Sequence, residues 1–153
     1  MHEPTSLPPT RLAELASWLE LRIHEEEPWG TAARLYGITV LDGDLLGRNA
    51  DEAARYTLLA EGPVYDLLDS PTAVMATMFD AIGLCCHGTA TRLDIGGRFR
   101  CRTVLAADEG GHVAVNRVEG MTPEVMGAAT GPLAERMNRL FDILRSAEPH
   151  RPA

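Results

Sequence analysis

Residues 98–119, RFRCRTVLAADEGGHVAVNRVE, decide the fold class. Strand side chains alternate between two faces, so Phe99, Cys101, Thr103 and Leu105 share one face and Arg98, Arg100 and Arg102 the other. Glu109-Gly110-Gly111 lies where a tight turn is needed. Arg98–Ala107 and His112–Glu119 therefore read as a hairpin. A three-residue loop at 109–111 sets Leu105 opposite Val115 and Ala107 opposite Val113, which aligns apolar faces. A two-residue loop on Gly110 and Gly111 would set Leu105 against Asn116, so the first register is expected.

Upstream, Ala81–Ala90 reads as a third strand, with Gly96-Gly97 supplying the turn. Before it, Leu12, Leu15, Ala16, Leu19 and Ile23 repeat at three- and four-residue spacings, the stripe of an amphipathic helix. Trp18 flanks that stripe. Glu25-Glu26-Glu27 and Pro28 end it, since acids at a helix C-terminus oppose the macrodipole. Residues 31–46 read two ways, with Thr31–Tyr36 as a helical turn and Ile38–Leu41 as a short strand; Asp42-Gly43 signals a turn. Asn49 and Glu52 form a capping-box pattern, which predicts a helix from Ala50 to about Ala60. Pro63 opens a short helix with Val64, Leu67 and Leu68. Ser70-Pro71 caps another carrying Val74, Met75 and Met78.

After the hairpin, Thr122-Pro123-Glu124 predicts a short helical turn. Pro132 then opens a helix whose Leu133, Met137, Leu140, Phe141 and Leu144 follow the 3.6-residue period. The expected class is α+β: N-terminal helices, a three- or four-stranded antiparallel meander, and a C-terminal helix. The 153 residues suit one domain, read as 10–147 between a flexible arm at 1–9 and a flexible tail at 148–153. Hydrophobic content of 45% and charged content of 24% exclude a wholly disordered chain.

Composition removes several chemistries. Lysine is absent and all 14 basic residues are arginine, so a P-loop lysine, a Schiff base and a lysine general base are impossible. Only Ser6, Ser17, Ser70 and Ser146 occur, none in a Gly-x-Ser-x-Gly setting. Asp42 and Asp44 share a loop with too few ligands for calcium. No apolar run is long enough for a membrane helix, and MHEPTSLPPTRL lacks the features of a signal peptide. The expected location is the cytoplasm, with no membrane partner.

Two clusters remain. Cys85, Cys86 and His87 stand on one strand and Cys101 on the next, suggesting zinc or a Cys–His nucleophile. Alternation separates Cys86 from Cys85 and His87, and Cys101 at best joins them from the neighbouring strand. No metal, cofactor or catalytic residue is assigned, and Cys85, His87 and Cys101 stand as a candidate pocket. The net charge of −8 also conceals a basic middle. Arg98, Arg100 and Arg102, with Arg92 before and Arg117 after, form planar forks suited to carboxylates or phosphates. They are the candidate anion or partner contacts, unless the chain's own acids, such as Glu25–Glu27, satisfy them. The acidic balance and the lack of interleaved aromatics argue against nucleic acid.

Residues 80–119 resemble small uncharacterised actinobacterial proteins: Asp80–Gly83, Gly88–Ala90, the arginine-rich strand Arg98–Arg102, Gly110-Gly111 and a closing Arg117. The resemblance implies a source and a fold but no activity, with aliphatic residues more usual where Cys85, Cys86 and His87 stand. Two functions are expected from these features. One is a non-enzymatic interaction or regulatory domain whose partner is another protein, using the arginine face and the acidic helical half. The other is a small-molecule or anion-binding domain, enzymatic or not, with a pocket near Cys85, His87 and Arg102. A closed polar pocket beside His87 would favour the second, and a flat arginine face the first.

Overall fold

A computed structural model describes residues 7–27, 29–30, 32–41, 53–108, 111–127, 135–137 and 139–140. Helix α1 (Leu7–Glu26) is followed by strands β1 (Ala33–Val40) and β2 (Ala54–Gly62), short helices α2 (Val64–Asp69) and α3 (Pro71–Ala76), and strands β3 (Ala81–Thr91), β4 (Arg98–Asp108), β5 (Gly111–Val118) and β6 (Glu124–Gly127). The strands form one sheet, ordered β2-β1-β3-β4-β5-β6, with every neighbouring pair antiparallel. Residues 135–137 and 139–140 are helical.

The class is α+β, as expected, but among the described residues the sheet has six strands rather than three or four. Ala54–Gly62 pairs with β1 instead of forming a helix. Its Tyr56 ring meets Trp18 and Tyr36 edge-on at 5.4 and 5.7 Å, and its Ala54 is buried against α1's core. Tertiary packing of a strand-favouring aromatic overrides the local helix signal. The whole of Ala33–Val40 is strand, which excludes a helical turn at 33–36, and Glu124–Gly127 is strand β6. At the other end, α1 begins at Leu7, inside the stretch expected to be a loose arm. Pro8 and Pro9 fall in its first turn, where an amide hydrogen has no intrahelical partner to lose. Asp42-Gly43, Asn49, Leu133, Phe141, Leu144 and the 148–153 tail lie outside the described residues.

Helices cover both sheet faces. Leu12, Leu15, Ala16, Leu19 and Ile23 of α1 are all buried, against Tyr36, Ile38, Cys85, Val104, Ala106, Val113 and Val115 on one face. Leu67, Leu68, Ala73, Ala76, Met137 and Leu140 cover Leu35, Ile82, Leu84, Leu105 and Ala107 on the other. In α3, Ser70 Oγ accepts from the Ala73 amide at 3.3 Å, the expected cap. The buried side of that helix is Ala73 and Ala76, however, while Met75 and Met78 are exposed.

The hairpin register differs by one residue from expectation. Leu105 pairs with Ala114 and Ala107 with His112, and the ladder closes at Asp108 opposite Gly111. With both faces covered, Val104, Leu105, Ala106 and Ala107 are all buried, so a one-residue slip exchanges one apolar side chain for another and apolar matching cannot select the register.

Candidate functional site

The arginine stripe is graded from core to solvent. Arg98, Arg100 and Arg102 pair with Thr91, Thr89 and His87 on β3 and share the face that α1 covers. Arg102 is 0% exposed. Its Nη1 donates to Glu20 Oε2 at 2.8 Å and contacts His24 Nδ1 at 3.0 Å, and its Nη2 donates to the Glu27 carbonyl at 3.2 Å. Arg117, opposite Arg102 on β5, grips the same carboxylate with Nε and Nη2 at 2.7 and 2.8 Å. Burial pushes the Glu20 carboxyl upward, but hydrogen bonds and charge from Arg117 and Arg102 outweigh it, leaving it below the ordinary carboxylate value.

Sequence reasoning missed Glu20 and looked to Glu25–Glu27 for the anions. A signal was present: Glu20 lies four residues after Ala16 and three before Ile23, inside the apolar stripe. Of the later acids, Glu26 accepts from the Tyr56 hydroxyl at 2.5 Å and Glu27 pairs with Arg34 at 2.8 Å. Trp29, also missed, lies against Arg102 and Arg100, whose guanidinium carbons are 5.0 and 5.4 Å from its ring centre.

Arg100 reaches Glu119 at 2.6 Å, and Arg98 donates to Thr89 Oγ1 at 2.6 Å. Arg92 lies beyond the stripe, clasped to Asp94 at 2.5 and 3.1 Å and stacked 5.2 Å from the Phe99 ring centre. The five predicted contact residues therefore do not form a single open surface. Arg102 and Arg117 belong to a buried ion triad, while Arg92, Arg98 and Arg100 lie at the sheet's outer end.

The cysteine cluster is also divided. Cys85 and His87 share α1's face, with Sγ 3.6 Å from Nε2, whereas Cys101 pairs with Gly88 and points to the opposite face. Cys101 therefore does not join them. Cys85 is fully buried and its thiol is pushed up to about 12, first by burial. Burial raises Cys86 to about 11. Neither thiol ionises near neutral pH, so neither has the thiolate character of a nucleophile. Burial, then Arg102 and Arg34, lower the His87 pKa and favour neutral imidazole. Its Nδ1 is buried and has no hydrogen-bond partner among the described residues. Among the described residues no three His, Cys, Asp or Glu side chains converge as a metal site, and no helix is long and apolar enough to cross a membrane.

One cleft, of about 420 Å³, opens beside His87. Its walls are Ala32, Ala33, Gly62, Pro63, Val64, Cys86 and His87. It lies where the β1–β3 ladder stops, at Arg34 opposite Cys85, while β3 continues. Cys86, rather than Cys85 or Cys101, lines it. The cleft is open and chiefly aliphatic.

Past this notch, β3 and β4 continue as a two-stranded arm. The β3–β4 ladder extends to Thr91 opposite Arg98, whereas β5 leaves β4 at Cys101 opposite Val118. The connecting turn is well hydrogen-bonded: the Gly96 amide donates to the Arg92 carbonyl at 2.7 Å, and the Arg92 amide to the Gly97 carbonyl at 3.3 Å. Gly96 and Gly97 sit at φ 73° and 83°, a left-handed conformation that favours glycine. At the tip, Leu93 is 97% exposed and Ile95 65%.

No family model, no curated protein and no solved structure matches this chain.

Proposed function

We propose that this chain is a non-enzymatic cytoplasmic domain that binds another protein through the β3–β4 arm. The observation that carries this reading is the exposure of Leu93 and Ile95 on a turn that is already hydrogen-bonded. A turn whose backbone is already hydrogen-bonded has little backbone freedom left to lose when a partner covers its aliphatic side chains, which favours binding. Arg98 and Arg100 lie along the same arm and supply polar contacts at its flank. The raised thiol pKa values of Cys85 and Cys86 weigh against covalent catalysis beside His87. The aliphatic walls of the cleft suit an apolar side chain better than a charged metabolite.

A photo-reactive amino acid at position 93 tests this reading in cells that produce the chain. The expected result is a light-dependent protein adduct that disappears with Ile95→Asp and does not form when the probe sits at exposed Asp66. A probe at position 93 that captures no protein at all, this chain included, would sink the reading.

A further inference from the structure

We infer that the partner of the arm is a second copy of this chain, joined by antiparallel pairing of the two β3 edges. The inference rests on the arm reading above and names the occupant.

Beyond Cys85, β3 has no β1 neighbour, while its pairing with β4 continues to Thr91 without a register shift. Residues 87–91, His-Gly-Thr-Ala-Thr, therefore present one edge whose outward backbone groups have no ladder partner among the described residues. Exposed edges are normally guarded by charged side chains, proline or a bulge. This segment has no carboxylate, lysine, arginine or proline, its ladder has no bulge, and neutral imidazole is favoured at His87. Two of its five residues are threonine, which suits a strand.

The register of such a pair fits the rest of the surface. A two-fold axis through Thr89 sets His87 against Thr91 of the other copy, and the new ladder ends there because Arg34 of β1 already occupies that edge at Cys85. Cys85 is the last β3 residue paired with β1, and the next two, Cys86 and His87, line the cleft. Pairing the edges thus brings the tip of each arm to the notch of the other copy. Leu93 and Ile95 then meet Ala32, Ala33, Pro63 and Val64.

Charge agrees with this arrangement. Residues 88–100 hold three arginines and one aspartate in a chain of net charge −8. Glu61 adjoins Gly62 at the cleft rim, where it and Glu27, each about half exposed, share the single Arg34 and leave one negative charge in excess. A basic arm therefore approaches an acidic rim, and the isologous contact closes at two copies.

Analytical ultracentrifugation of the full chain at tens of micromolar tests the inference. Wild type is expected at twice 16.6 kDa. Thr89 is exposed, so its replacement probes the contact rather than the core. Thr89→Lys and Thr89→Glu each place like charges together at the two-fold axis, and each variant alone should sediment as a monomer with the circular dichroism spectrum of a folded chain and a melting temperature lowered by loss of the partner. An equimolar mixture of the two should regain the dimer mass. A monomeric wild type, a dimer that persists in both variants, or a mixture that stays monomeric would each overturn self-pairing. Failure of the arm reading is separately visible: a probe at position 93 that captures a different protein retains the arm as a binding surface and overturns only the second copy as its occupant.

Discussion

Arg102 and Arg117 stand directly opposite each other on β4 and β5, and both donate to Oε2 of Glu20. Like charges facing across a ladder repel, and here the 1%-exposed carboxylate from α1 offsets that repulsion. Removing one partner of a buried ion pair leaves an uncompensated charge, at a typical cost of about 3–5 kcal/mol. Glu20→Gln keeps the shape and deletes the charge. Urea denaturation should show a loss of that order, and a loss below about 1 kcal/mol would mean the triad adds little net stability.

Acid should destabilise the fold in two ranges. His87 has a lowered folded pKa, so below about 6.5 the unfolded imidazole takes up a proton more readily than the folded one. Stability is therefore lost as pH falls from that value toward the folded pKa. Glu20 is also depressed; its contribution is present above the ordinary carboxylate pKa of about 4.3 and is lost as pH falls through its folded value. Thermal melts from neutral to strongly acid pH should show both declines, and His87→Asn should reduce the upper one while leaving the lower.

Gly83 is a site of close approach, because a methyl group there would collide with Leu19 Cδ2 of α1. Gly83→Ala forces α1 away from β3, and overpacking of this kind costs about 1–3 kcal/mol. A melting temperature equal to wild type would show that Leu19 can turn aside at no cost.

Leu140 is buried against the face that α2 and α3 cover. Leu140→Ala should cost about 2–5 kcal/mol, the range for a truncated core leucine. Denaturation curves with an unchanged midpoint would place that helical segment outside the cooperative core.

Thiol labelling in the native state should spare Cys85, which is fully buried and raised to about 12. Iodoacetamide followed by peptide mass spectrometry at neutral pH should leave it unmodified until denaturant is added. Rapid native labelling at Cys85 would restore the case for a reactive thiol beside His87.

The parts of the fold legible in the sequence are those with one clear period or with turn residues marking where a strand ends. The α1 stripe from Leu12 to Ile23 and the extents of β3, β4 and β5 belong here, as does the common face of Arg98, Arg100 and Arg102. β2 was illegible because Asn49 and Glu52 imitate a helix start, while the contacts that make it a strand come from Trp18 and Tyr36, distant in sequence. The hairpin register was illegible where burial on both faces erases alternation. Of the candidate site, the grouping of Cys85 with His87 could be read from parity alone. The role of Glu20 could not, because a lone acid in an apolar stripe does not name its partners. The arm also escaped notice, since strand lengths relative to neighbours are properties of the assembled sheet.

The partners of Glu20 are Arg102 and Arg117, respectively 82 and 97 residues further along the chain. During synthesis, α1 emerges before the sheet, with an acid in the middle of its apolar stripe and neither of the two arginines that receive it yet made. Settling on a partial sheet of β1, β2 and β3 would bury Glu20 without its arginines, at the cost of an unpaired charge or of protonating it. The seat of the helix on β4 and β5 is complete only when position 117 has left the ribosome. The placement of Glu20 thus ties the docking of α1 to the arrival of the two strands that neutralise its charge.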